Sequence, residues 1–71
     1  MTYADDLIAT YPTEKGLYSL NREYYTEAYY IAFARWDFSA SPCWTCRATD
    51  RLSALSEFRQ YVREEVKKEK D

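Results

Sequence analysis

The sequence has no histidine, one glycine, two prolines and two cysteines in 71 residues, and no long run of apolar side chains. Each scarcity removes a class of protein. Without histidine the commonest general base near neutral pH is missing, and neither a Gly-rich phosphate loop nor a Ser-centred nucleophile motif takes its place. So little Gly and Pro sets the chain apart from disordered compositions. Two cysteines do not make the dense disulfide framework of small secreted domains, which points to a reducing compartment. No segment approaches the ~18 uninterrupted apolar residues of a membrane span, and the stretch from Met1 to Leu7 lacks the basic start and apolar run of a signal peptide. The expectation is a soluble cytoplasmic protein with no membrane partner, no catalytic residue, no metal and no cofactor.

What the chain does have is rings. Eight Tyr, three Phe and two Trp make up 18% of the residues, beside 46% hydrophobic and 31% charged side chains. A chain this short buries only about 60% of its unfolded surface, so a core rich in large rings compensates for a thin one. The formal charge of −2 gives no global attraction to nucleic acid. It is unevenly spread: residues 1–50 hold four basic and seven acidic side chains, whereas residues 51–71 hold six and five. Any anion-binding surface is expected on the C-terminal segment.

The clearest pattern runs from Pro42 to Val66 and reads as a strand feeding an amphipathic helix. Trp44, Cys46 and Ala48 alternate with Thr45, Arg47 and Thr49, and Asp50 offers a helix-capping oxygen. Leu55, Phe58, Val62 and Val66 then fall within about 80° of arc, flanked by Leu52 and Tyr61, which predicts a helix over 51–67 lying on the Trp44, Cys46, Ala48 face. The charged tail 67–71 has nothing to bury and is expected to fray. At the other end, Thr2 as a cap, Asp5 and Asp6 in a first turn and the stop at Pro12 predict a short helix over 3–10. Residues 12–16 read as a loop in which Gly16 supplies a positive φ, and residues 17–20 as a short edge strand. The ring-rich stretch 22–38 is ambiguous between helix and strand. Strand is favoured over 28–36, since Tyr, Ile, Phe and Trp fit a pleated surface, with residues 37–42 as a connection to an antiparallel partner at 43–49. The predicted fold is thus a small two-layer α+β domain: a short N-terminal helix and a hairpin or three-stranded sheet covered by a long C-terminal helix.

Cys43-Trp44-Thr45-Cys46 is the one motif with a chemical meaning, a redox pair or half of a zinc site. On a strand the two sulfurs point to opposite faces, and the chain has no His and no further Cys to complete a tetrahedron. Cys46 is therefore expected in the core, with a Cys-dependent dimer, bridged by zinc or by disulfides, as the rival. Two features suggest binding instead of catalysis. Arg59, Arg63, Lys67 and Lys70 form a ridge beside the apolar stripe, suited to an acidic partner or phosphate or simply to solvent. Tyr24, Tyr25, Tyr29 and Trp36 are candidate contact rings, since Tyr and Trp offer large contact area at low entropic cost. The same rings can instead pack a core or a homodimer interface. The expected function is a non-enzymatic module that binds a protein partner through Tyr24, Tyr25, Tyr29, Trp36, Arg59 and Arg63. Small acidic domains of this kind include inhibitors and regulators carried by phages and mobile elements. Single-stranded nucleic-acid binding, by sheet aromatics and the basic ridge, is the alternative.

Overall fold

The computed structural model describes residues 4–39 and 41–70, with side chains described through Lys68. Four antiparallel strands, β1 (Asp6–Pro12), β2 (Gly16–Arg22), β3 (Tyr29–Arg35) and β4 (Cys43–Thr45), form one sheet in the order β1-β2-β3-β4. The helix α1 (Arg51–Lys70) packs across β2 and β3. The α+β class is as the sequence pattern implies. The expected N-terminal helix is replaced by β1, while Met1, Thr2 and Tyr3 lie outside the described residues. A helix of two turns is marginal in water, whereas Ile8, Thr10 and Tyr11 favour extended backbone, and pairing along β2 satisfies the main-chain groups of one edge. The presence of β1 also moves residues 17–20 from an edge to the interior of the sheet.

Alternation decides which face each residue serves. Tyr18 and Leu20 on β2 stand opposite Phe33 and Ile31 on β3, and Trp44 on β4 stands opposite Ile31. Together with Tyr29, Cys46, Ala54, Phe58 and Val62, these residues build the core under α1, with Trp44 partly buried against it. Burial of a side chain such as Leu20 or Ile31, both fully enclosed, contributes about 1.5–3 kcal/mol. The opposite face carries Ser19, Asn21, Tyr30 and Ala32, and no described element covers it.

The hairpin between β1 and β2 is closed by Thr13. Its backbone N–H and its hydroxyl both donate to the Gly16 carbonyl, at 2.7 and 2.8 Å, and the Gly16 N–H donates back to the hydroxyl at 3.2 Å. Gly16 is not in the left-handed region. It is needed for space, because a Cβ there would collide with the Ala34 carbonyl oxygen and stand 2.8 Å from the Phe33 ring. In β1 the register slips between Leu7 and Ala9, leaving Ile8 as an extra residue. Together with Pro12 at its end, this bulge blunts the edge against further strand pairing.

β4 is shorter than the expected 43–49. After Thr45 the ladder gains one more bond, from Cys46 N–H to the Tyr29 carbonyl at 2.8 Å. The next two N–H groups, of Arg47 and Ala48, turn to the Glu57 carboxylate at 3.1–3.2 Å. A side chain of α1 thereby ends the strand and sets the angle at which the chain enters the helix. Asp50 caps that helix as its position suggested, accepting from the Ser53 N–H at 3.1 Å. The Ser53 hydroxyl first, and this N–H second, hold its carboxyl below the usual range. The helix runs through Lys70, past the expected end at residue 67. Its buried stripe centres on Ala54, Phe58 and Val62, about 40° from the expected one. The small Ala54 lets the helix backbone approach the sheet, and the turn toward Tyr61 leaves Leu52 exposed.

Candidate functional site

The residues singled out as contact rings divide into three places. Tyr29 is 7% exposed and stands in the core opposite Arg22, so it is not a surface contact. Alternation along β3 places it with Ile31 and Phe33 under α1, and leaves Tyr30 on the open face. Tyr24 and Tyr25 sit in the connection between β2 and β3, half and largely exposed, with their rings edge to face at 5.2 Å. That connection is tightly held. Asp5 accepts the Tyr30 hydroxyl at 2.6 Å and the Tyr24 N–H at 3.1 Å, while Glu27 takes a positive φ of 60° and pairs with Arg22 at 2.9 Å. The Tyr30 hydroxyl bond, and then the Tyr24 amide, hold the Asp5 carboxyl low, and the same hydroxyl bond pushes Tyr30 up to about 12.

Trp36 lies at the other end of β3, about 20 Å of strand away. Its indole N–H donates to the Thr13 carbonyl at 2.8 Å and its backbone N–H to the Lys15 carbonyl at 3.2 Å, which fastens it across the β1–β2 turn while leaving it 52% exposed. Two residues on, Phe38 is 96% exposed and held at a φ of 61°. The turn around it is fixed by Phe38 N–H to the Arg35 carbonyl at 3.1 Å and by Ser39 N–H to the Asp37 carboxylate at 2.9 Å. An aromatic residue in the left-handed region costs about 1 kcal/mol, and full exposure forgoes the burial its ring would otherwise gain. Phe38 was not among the residues chosen from the sequence. Its signal was there: an aromatic among Asp37, Ser39, Ser41 and Pro42 sits in turn-forming surroundings with no periodic face to join.

Arg59 and Arg63 stand on α1 beside a groove between the helix and β1, lined by Tyr11, Val62 and Val66. They share neither place with the tyrosines nor with Trp36. The six expected contact residues therefore do not form one surface. Among the described residues, neither face of the sheet presents a row of exposed rings of the kind on which single-stranded nucleic acid stacks. Tyr18, Tyr29 and Phe33 face the helix, and the open face of the paired strands offers Tyr30 beside Ala32, Ser19 and Asn21.

Cys43 is exposed and Cys46 buried, and both are free thiols. Burial first, and the Glu57 carboxylate second, push the Cys46 thiol up to about 11, the opposite of an activated cysteine. Among the described residues no three His, Cys, Asp or Glu side chains cluster as metal ligands, and no helix is long and apolar enough to cross a membrane. The chain matches no family model, no curated protein and no solved structure.

Proposed function

We propose that this protein is a non-enzymatic module that binds a protein partner stoichiometrically, as small inhibitors and regulators do, with Trp36 and Phe38 as its anchor. The observation that carries this is Phe38: an aromatic ring displayed in full to solvent, on a turn whose backbone is strained to hold it there, next to a tryptophan fastened in place. Strain and exposure are both unfavourable in the isolated chain; the exposure is recovered when the ring enters a partner's pocket, and that gain offsets the strain the turn retains. A pre-fixed turn adds to this by leaving little conformational entropy to lose on binding. Tyr24 and Tyr25, at the far end of the sheet, form a second ring pair that a large partner would reach.

Affinity capture from lysate of the source organism tests the proposal, comparing the wild-type protein with Phe38→Asn, which tolerates a positive φ. One nuclease-resistant protein, recovered near stoichiometry by the wild type and lost with Phe38→Asn while the thermal melt is unchanged or raised, is the expected result. Captured material that disappears on nuclease treatment would replace this reading with nucleic-acid binding. Capture indifferent to Phe38→Asn and Trp36→Ala would remove the anchor.

A further inference from the structure

The groove between β1 and α1 has a volume of about 530 Å³. Its floor is apolar: Phe58 and Val62 form the buried base, with Val66 beyond them and the half-exposed Tyr11 on the strand side. Its rim is cationic, made of Arg59, Arg63 and Lys67. Among the described residues no carboxylate lines it, and none of these three cations takes part in an ion pair, though Glu64 stands with them on the outer side of the helix; the basic side chains that do form ion pairs are Arg22 and Lys68. Recurring every four residues on a helix, the three charges stand about 6 Å apart along the axis. Alternate side chains of an extended chain are spaced by about 6.6 Å. The net charge of −2 does not oppose an acidic ligand here, because at physiological salt charges farther away than about 8 Å are largely screened and the local row sets the attraction.

We infer that this groove receives an extended acidic segment of a partner protein, whose alternate carboxylates meet Arg59, Arg63 and Lys67 while intervening apolar side chains cover Tyr11, Val62 and Val66. The inference rests on the binding-module reading and gives it a second surface, separate from Phe38. The segment lies in the groove and does not extend the sheet, since the Ile8 bulge and Pro12 interrupt the free edge of β1.

The test is an NMR titration of the full chain with the hexapeptide acetyl-Glu-Leu-Glu-Leu-Glu-Leu-amide and with its counterpart carrying Lys in place of Glu. The acidic peptide is expected to shift the resonances of Tyr11, Val62 and Val66, to weaken by about tenfold at high salt, and to bind tighter than the basic one. In Arg59→Glu/Arg63→Glu, whose substitutions are confined to exposed positions, the preference is expected to reverse toward the Lys peptide. Equal affinity for both peptides, shifts confined to other residues, or no binding at millimolar concentration would overturn the inference. So would sodium decanoate binding the same residues more tightly than the peptide, which would assign the groove to a small amphiphile. Phe38→Asn is expected to leave the titration unchanged, so failure here and failure of the Phe38-dependent capture are separate results.

Discussion

The two flanks of α1 are built from similar residues and end differently. On the β4 side, Tyr61 packs on Trp44 with ring centroids 4.6 Å apart and meets Tyr18 edge-on at 6.2 Å, and Tyr18 in turn lies on Phe33 at 4.4 Å. This run of rings closes the gap between helix and sheet. On the β1 side Tyr11, the cross-strand neighbour of Tyr18, meets no such ring among the described residues, and the space beside it stays open under Arg59, Arg63 and Lys67. A helix centred on two inner strands of a four-stranded sheet has one outer strand to cover on each side. A large ring on each partner closes one of them; Val62 and Val66 are too short to close the other.

The largest expected effect follows directly. Tyr61→Ala, on the closed flank, should cost about 2–3 kcal/mol in urea denaturation, whereas Tyr11→Ala, on the open flank, should cost under about 1 kcal/mol. Equal losses would mean that both flanks are closed in solution and would break the comparison. Alkaline titration sharpens it. The closed flank holds two acids that are kept neutral: Cys46, raised by burial and by Glu57 to about 11, and Tyr61, raised by burial and by Glu65 to about 12. A group whose pKa is raised on folding adds stability that is complete below its unfolded value and is lost as pH rises through its folded value. Stability should therefore hold up to about pH 9, the ordinary thiol value, and fall from there to about pH 12. Cys46→Ala should flatten the lower part of that fall and Tyr61→Phe the upper part. Tyr30, raised by its bond to Asp5, adds to the upper part from the opposite face. An unchanged profile in both variants would refute the assignment.

A smaller effect probes the cost at which the closed flank is made. The Trp44 indole N–H is buried with no hydrogen-bond partner among the described residues. Trp44→Phe keeps a ring against Tyr61 and removes the unsatisfied donor, so the lost area and the relieved desolvation should nearly cancel, leaving a change within about 1 kcal/mol. A loss as large as that of Tyr61→Ala would show that the indole N–H is satisfied after all.

These contrasts also mark what the sequence made legible. The inward face of Trp44, Cys46 and Ala48 and the helix with its Asp50 cap were readable because periodicity and one strong cap point the same way, whereas the end of the strand at Thr45, set by the distant Glu57, was not. β1 was not, since Asp5, Asp6 and Pro12 mimic helix punctuation while the deciding factor, pairing with β2 across a turn closed by Thr13, is a long-range gain invisible in a local window. Ala54 was missed because an alanine carries little hydrophobic weight, although its smallness is what seats the helix. The basic row was legible from spacing alone. Its groove was not, because Tyr11 becomes the far wall only when the segment expected to be helical turns out to be an edge strand.

The smallest expected change in stability comes from Phe38, and it separates packing from display. Were the ring part of the fold, Phe38→Asn would destabilise in the manner of Tyr61→Ala. Exposed as it is, with a φ of 61°, it contributes little burial, and Asn accepts the left-handed region more readily, so the variant should be unchanged or gain up to about 1 kcal/mol. The bonds that shape the turn use the Phe38 backbone, the Asp37 carboxylate and the Trp36 indole, none of which the substitution removes. A native-like melt with partner capture lost would place the ring's contribution entirely at the interface. A destabilised Phe38→Asn would mean instead that the turn closes over the ring in solution, and the open flank beside Tyr11 would then be the exposed apolar surface left to explain binding.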